Sequence, residues 1–184
     1  MKTVYLITHG AKIDFKGPNQ PNPNPGMTKD GWRMVASLRP KLNELLPNGP
    51  AQIHAGTGLR QSQVVEALGF DLNKVLFSAL WGEPATAVKM SGKKVIVLAD
   101  GRYLEWEKYL SPRHMESTIR EVLSSLPDGS LICSGRPVLV RLKMEPEECF
   151  SGALYTLEIE GDQINIKLLV AGVKLLDGKE GASV

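Results

Sequence analysis

Cysteine, an excess of charge of one sign, and long apolar runs are all scarce in this sequence. Its 184 residues include two cysteines, Cys133 and Cys149, which form neither a metal-ligand spacing nor a disulfide framework. A formal net charge of +2 is too small to predict binding to nucleic acid or to a membrane surface. The first apolar run, Val4 to Ile7, is far too short for a signal peptide or a membrane span. We therefore expect a cytoplasmic protein in a reducing setting, with no nucleic-acid or membrane partner.

Sequence patterns for cofactor binding are also missing. The Walker pattern is absent, and no acidic or histidine cluster has the spacing of metal ligands. The stretch GTGLRQ, residues 56–61, is similar to part of a dinucleotide loop, but Gln61 stands where the third glycine belongs. A dinucleotide-dependent oxidoreductase is therefore a weak alternative, and we expect neither a metal nor a cofactor.

The composition is that of an ordinary globular protein. Hydrophobic residues make up 42% of the chain and charged residues 23%. A chain of this length buries roughly two-thirds of the surface that its unfolded form exposes. Since no repeat and no domain-sized linker interrupts it, we predict a single domain over residues 1–184.

Strand patterns and helix patterns alternate along the chain. Short apolar runs predict strands at residues 3–7, 51–54, 75–77, 95–99 and 131–133. Residues 153–160 and 164–168 alternate apolar and polar side chains around the Gly161-Asp162 turn, which predicts a β-hairpin. The predicted fold is α/β, a three-layer sandwich with a mainly parallel central sheet and a C-terminal β-hairpin at an edge.

The helix boundaries are marked by local signals. The first helix is expected to follow the N-cap candidate Thr28, with a kink or broken turn at Pro40. A second helix is predicted from Leu59 to Leu68, ended by Gly69. Ser111-Pro112 is a typical helix start, and the stretch SGRPVLVRL predicts a further helix.

Polar side chains follow three of the predicted strands, where each strand ends. They are His9, Thr57 and Ser134. Ligands of open α/β sheets bind beyond the carboxyl ends of the strands. We therefore expect these three residues to share one edge of the sheet.

Four segments resemble motifs of the histidine phosphatase superfamily, the phosphoglycerate mutase-like proteins. VYLITHG is similar to the opening strand and R-H-G motif of that family, and NPGMTKDGWRMVASL is similar to the P-x-x-T-x-x-G stretch that follows there. IHAGTGLRQSQVVEALG resembles the segment with an S-x-L-R-x-x-x-T core, and GSLICSGRPVLVRL resembles the strand and turn with an S-H-G sequence. The segments occur in the family's order and cover most of residues 3–142.

The resemblance implies catalysis through a phosphohistidine. His9 matches the histidine that attacks phosphorus, which needs a neutral nitrogen facing the phosphate and a hydrogen bond at the other ring nitrogen. Gly10 is expected to let the backbone pass close to the site and supply that carbonyl or an adjacent N–H. Arg60 matches the phosphate-binding arginine, whose planar fork can hold two phosphate oxygens. Glu83 falls near the acid that protonates the leaving oxygen.

Two positions depart from the family pattern. Thr8 stands where the family has the arginine of its R-H-G motif, and Ser134 stands where it has its second histidine. We place both among the residues expected at the phosphate site, although Ser134 is equally suited to cap the helix that follows. Arg136 and Lys12 are nearby cations that either replace the missing charge or face solvent.

Two functions follow from these residues. The first is hydrolysis of a phosphorylated small molecule through His9, with Arg60 holding the phosphate. The second is that of a catalytically inactive relative that binds an anionic ligand or a protein partner. The loss of one preorganised donor typically costs about 10²–10³ in rate, which is why the second function is a serious alternative.

Overall fold

The computed structural model describes residues 1–13, 26–82, 87–90, 93–97, 103–105 and 112–170. Its strands are β1 (Lys2–Thr8), β2 (Ile53–Ala55), β3 (Val75–Phe77), β4 (Ala87–Met90), β5 (Lys93–Val97), β6 (Tyr103–Glu105), β7 (Ser130–Ser134), β8 (Leu154–Glu160) and β9 (Gln163–Val170). Six of them form the central sheet, in the order β3-β2-β7-β1-β8-β9. Strands β3, β2, β7 and β1 run parallel, whereas β8 runs antiparallel to both β1 and β9. The predicted mainly parallel sheet, with the C-terminal hairpin at its edge, is confirmed.

Helices cover both faces of the sheet. They are α1 (Lys29–Ala36), α2 (Arg39–Leu45), α3 (Leu59–Ala67), α4 (Pro112–Ser125) and α5 (Arg136–Arg141). On one face Ile7 packs in a core with side chains of α1, α2 and α3, and on the other Leu6 packs with side chains of α4 and α5. Because consecutive residues of β1 face different layers, a continuous apolar run is what this strand requires. The three-layer architecture is therefore confirmed.

The helix signals in the sequence act as predicted. The Thr28 hydroxyl accepts a hydrogen bond from the Gly31 N–H at 3.0 Å and so caps α1. The first helix ends at Ala36 and α2 begins at Arg39, with Pro40 in its first turn. A proline is tolerated there because the first N–H groups of a helix have no partner within the helix. Gly69, with φ of +82°, follows the end of α3.

The strand predicted at residues 95–99 is observed over residues 95–97, and residues 98 and 99 lie outside the described residues. Residues 93–97 form β5, the middle strand of a separate three-stranded antiparallel sheet with β4 and β6. A short apolar run predicts a strand but carries no information about its partners, so this second sheet was missed. The predicted strand at 51–54 is shifted to Ile53–Ala55. The predicted cap Ser111 lies outside the described residues.

Among the described residues, no helix is both long enough and apolar enough to cross a membrane.

Side chains on the central strand β1 are buried, so we expect that shortening one of them lowers the stability of the protein. Leu6 is fully buried, whereas Leu76 on the edge strand β3 is 54% exposed. We expect Leu6→Ala to lower the free energy of unfolding by about 2–5 kcal/mol through lost burial and a residual cavity. The matched variant Leu76→Ala should cost less than about 1 kcal/mol. Urea unfolding measures both, and equal losses would contradict the position of Leu6 in the core.

Candidate functional site

His9 lies directly after β1, at the edge where β1, β2 and β7 end. Its backbone N–H donates to the Ser134 carbonyl oxygen at 2.9 Å, and its carbonyl oxygen accepts from the Gly152 N–H at 2.9 Å. Only 8% of the residue is exposed. The backbone of His9 is therefore held from two sides, by the end of β7 and by the segment that precedes β8.

The turn after His9 depends on contact between two glycines. A Cβ on Gly10 would lie 2.3 Å from the Gly31 carbonyl oxygen, and a Cβ on Gly31 would lie 2.4 Å from the Ala11 carbonyl oxygen. No residue with a side chain fits at such distances. The chain after β1 is thus packed directly on the first turn of α1.

The imidazole of His9 has one nitrogen bonded to its own turn. Nδ1 lies 2.9 Å from the Gly10 carbonyl oxygen. A carbonyl only accepts hydrogen bonds, so Nδ1 carries a proton, and when the ring is neutral the lone pair is on Nε2. A Cβ on Gly135 would lie 3.2 Å from Nε2, so this nitrogen faces a residue without a side chain. Nε2 is thus the ring nitrogen that faces the end of β7, at the edge of the sheet.

The hydroxyls at the two divergent positions donate to the protein's own backbone. Thr8 is fully buried, and its hydroxyl donates to the Phe150 carbonyl oxygen at 2.7 Å and accepts from the Ala153 N–H at 3.0 Å. Ser134 is also fully buried, and its hydroxyl donates to the Trp81 carbonyl oxygen at 2.5 Å. A hydroxyl has a single proton, so neither side chain has one left for a bound anion in this arrangement.

The alternative that Ser134 caps the following helix is wrong. The N-cap of α5 is Gly135, and no side chain accepts a hydrogen bond there. The Ser134 hydroxyl instead ties the end of β7 to the short helical turn Ala79–Trp81.

Arg60 is buried at the start of α3, directly after β2. It is 6% exposed, so it is not an exposed helix residue. Its neighbour Gln61 is 1% exposed, and neither the nitrogen nor the oxygen of its amide has a hydrogen-bond partner among the described residues. Gln61 packs beside Gly56, where a Cβ would lie 2.9 Å from its Cγ. Sequence reasoning noted Gln61 only as a mismatch to a dinucleotide loop, and so missed this buried amide.

The other predicted cations lie on the surface. Lys12 is exposed and forms an isolated β-bridge with Met27. Arg136 is exposed at the first position of α5, where its charge acts to lower the pKa of both Tyr155 and Cys149. Burial outweighs that charge and raises both pKa values. Glu83, the predicted acid, lies outside the described residues.

Residues 148–153 were not predicted to belong to the site. The Phe150 N–H donates to the Tyr155 hydroxyl at 2.6 Å, and that hydroxyl donates to the Glu148 carbonyl oxygen at 3.0 Å. Gly152 has φ of +60°, and a Cβ there would lie 2.2 Å from the Met34 Sδ. The motif resemblance ends at residue 142, so an isolated glycine before an alternating strand was the only local signal of this segment.

The other buried titratable groups near this edge are packing residues. His54 is 9% exposed, its Nε2 lies 3.1 Å from the Gln52 Oε1, and its ring meets the Trp81 ring edge-on at 6.4 Å. Burial lowers the pKa of His54 and raises the pKa of the Cys133 thiol. Both groups are therefore held neutral near pH 7. In the described part of the chain, no group of three or more His, Cys, Asp or Glu side chains could hold a metal ion.

The three-layer fold is shared with solved structures of phosphatases. No protein-family model and no curated protein matches the sequence. The fold that the motif resemblance implies is confirmed.

Three solved structures illustrate the similarity. The protein histidine phosphatase SixA, complexed with tungstate, matches with a TM-score of 0.60 and 12% identity, over 90% of this chain and 94% of that one. SixA from Agrobacterium tumefaciens, assigned as a phosphohistidine phosphatase, matches with a TM-score of 0.57 and 13% identity, over 93% and 99%. A mycobacterial glucosyl-3-phosphoglycerate phosphatase matches with a TM-score of 0.54 and 11% identity, over 94% and 99%.

The glycine contact after β1 can be tested by adding a methyl group. We expect Gly10→Ala to lower the free energy of unfolding by about 3 kcal/mol, because the Gly31 backbone cannot move away without disturbing α1. Gly49→Ala serves as the control, since a Cβ there has nothing within 4 Å and meets only the strain of a φ of +81°, which is worth about 1 kcal/mol. Urea unfolding compares the two. A smaller loss at Gly10 than at Gly49 would contradict the contact.

The Tyr155 hydroxyl should make stability depend on pH in alkaline solution. Burial raises its pKa to about 12, above the ordinary value near 10. Folding therefore favours the neutral phenol. Its contribution to the free energy of unfolding is complete below pH 10 and is lost as the pH rises through 12. We expect Tyr155→Phe to cost about 1–3 kcal/mol at pH 7, where it leaves two backbone groups unpaired. Urea unfolding from pH 7 to 12 should show wild type and variant converging above pH 10. A constant difference over that range would count against the assignment.

Proposed function

We propose that this chain is a phosphatase-type protein that binds the phosphoryl group of a phosphorylated small molecule next to His9. The observation that supports the proposal is the hydrogen bond from Nδ1 of His9 to the Gly10 carbonyl oxygen, which in the neutral ring places the lone pair on Nε2, the nitrogen that faces Gly135. Solved structures of the same fold include phosphatases, and one of them holds tungstate, an oxyanion shaped like phosphate. They support the proposal.

The proposed reaction uses Nε2 as the nucleophile. Its lone pair forms a bond to phosphorus while the bond from phosphorus to the ester oxygen breaks, and the released oxygen takes up a proton. Water then attacks the phosphohistidine, the phosphorus–nitrogen bond breaks, and the lone pair returns to Nε2. We assign the donation of the first proton to Glu83, on the motif resemblance alone.

Arg60 is the residue we assign to hold the phosphoryl oxygens. It is the second residue of α3, the helix that follows β2, at the same edge as His9, and it is almost fully buried. An arginine inside a protein is stabilised by anionic or carbonyl oxygens, and its fork matches two oxygens of a phosphate. Arg136 and Lys12 are exposed, and we propose that they attract an anion toward the edge.

A second candidate function is anion binding without turnover. It is favoured by the hydroxyls of Thr8 and Ser134, which donate to the Phe150 and Trp81 carbonyl oxygens. These are the positions where the family is expected to have an arginine and a histidine. Each missing donor typically costs about 10²–10³ in rate, although two such losses need not multiply. A cytoplasmic location stays a prediction in both cases.

Phosphomonoester hydrolysis tests the proposal directly. We expect wild type to release p-nitrophenol from p-nitrophenyl phosphate slowly and to form an acid-labile phosphohistidine that is absent in His9→Gln. Arg60→Gln should raise KM and lower kcat, whereas Arg33→Gln, which removes a largely exposed arginine, should leave both unchanged.

Tungstate binding by calorimetry separates the two functions. Binding without hydrolysis or phosphohistidine would establish the second candidate. Hydrolysis that persists in His9→Gln would overturn the role of His9, and an absence of tungstate binding would overturn both candidates.

A further inference from the structure

The fully buried hydroxyl of Thr8 joins β1 to the residues before β8. It donates to the Phe150 carbonyl oxygen at 2.7 Å and accepts from the Ala153 N–H at 3.0 Å, while the Thr8 N–H donates to the Ala153 carbonyl oxygen at 3.0 Å. Thr8 therefore binds both ends of the segment 150–153. Three hydrogen bonds from one residue to a four-residue segment leave that segment little freedom.

The same segment holds His9. The Gly152 N–H, between the two anchored ends, donates to the His9 carbonyl oxygen at 2.9 Å. On the other side, the His9 N–H donates to the Ser134 carbonyl oxygen, so the His9 backbone is fixed between β7 and the segment 150–153. The direction of the imidazole follows from that backbone, since Nδ1 bonds to the next carbonyl along the chain.

The far side of the segment is fixed as well. The Phe150 N–H donates to the Tyr155 hydroxyl, which in turn donates to the Glu148 carbonyl oxygen. Gly152 is packed on Met34 of α1, where a Cβ would lie 2.2 Å from the sulfur. Thr8 thus supplies the link between a segment that is already braced and the strand that carries His9.

We infer that Thr8 is a positioning residue, which locks the segment 150–153 against the end of β1 and so sets the orientation of the His9 imidazole. It is not a ligand for the phosphoryl group, because its one proton is donated to Phe150 and no part of the residue is exposed. The inference deepens the proposed function, on which it rests for the identity of His9 as the reacting group.

Three variants test the inference. Thr8→Val keeps the shape and removes the hydroxyl, Thr8→Ser keeps the hydroxyl, and Thr156→Val removes a threonine hydroxyl from the adjacent strand β8 at a similarly buried position. The measurements are amide hydrogen exchange at Gly152, the ¹⁵N chemical shifts of the His9 ring, and the affinity for tungstate.

For Thr8→Val we expect the protection of the Gly152 amide and the tungstate affinity each to fall on the order of tenfold, since the Phe150 carbonyl and the Ala153 N–H lose their partner. The ¹⁵N shifts of His9 should move toward a mixture of tautomers. Thr8→Ser and Thr156→Val should behave as wild type. If Thr8→Val does not fold, Tyr155→Phe loosens the same segment from its other side and should reduce Gly152 protection in the same direction.

Each other outcome overturns the inference. Unchanged Gly152 protection in Thr8→Val would show that Thr8 does not hold the segment, and a loss of tungstate affinity without a loss of protection would make Thr8 a direct ligand. Lost protection with unchanged His9 shifts would make the contact purely structural. If wild type binds no tungstate, the proposed function fails, while the exchange and ¹⁵N measurements still decide the role of Thr8.

Discussion

The backbone contact between Gly10 and Gly31 is the constraint on which this edge of the molecule depends. It brings the chain leaving β1 onto the first turn of α1, closer than any side chain would permit. In that position the Gly10 carbonyl oxygen accepts the hydrogen bond from Nδ1 of His9, which in the neutral ring selects the tautomer with the proton on Nδ1. The chemistry available to the histidine is therefore determined by two residues that have no side chains.

The side chains at the two positions that depart from the family motif make hydrogen bonds within the protein itself. Thr8 and Ser134 are neighbours across the β1–β7 pair, and both donate inward to backbone carbonyl oxygens. A short hydroxyl can be satisfied in this way inside a sheet, whereas an arginine or an imidazole would need room and a polar surrounding. The edge thus keeps a histidine and a buried arginine, His9 and Arg60, while the hydroxyls of Thr8 and Ser134 donate to the backbone.

Sequence reasoning reached the architecture because it depends on patterns that are local. Apolar runs, the Thr28 cap, Pro40 and the alternating tail were sufficient for the layers, the helix break and the hairpin. The positions of His9 and Ser134 at the ends of predicted strands also indicated that both lie at one edge of the sheet. It could not predict the pairing of β5 or the direction of the Thr8 hydroxyl, because both depend on groups distant in sequence. Position on a strand does not reveal which carbonyl lies opposite, and residues 148–153 carried almost no signal.

The place of β1 in the sheet has a consequence for how the molecule is assembled. Its two neighbours are β7 and β8, which come from residues 130–134 and 154–160. Contacts between segments so far apart in sequence carry a high entropic cost of loop closure and form late in folding. A nascent chain therefore holds β1 unpaired until most of the sequence has been made. The histidine near the beginning of the sequence belongs to a site that only the later part of the chain can complete.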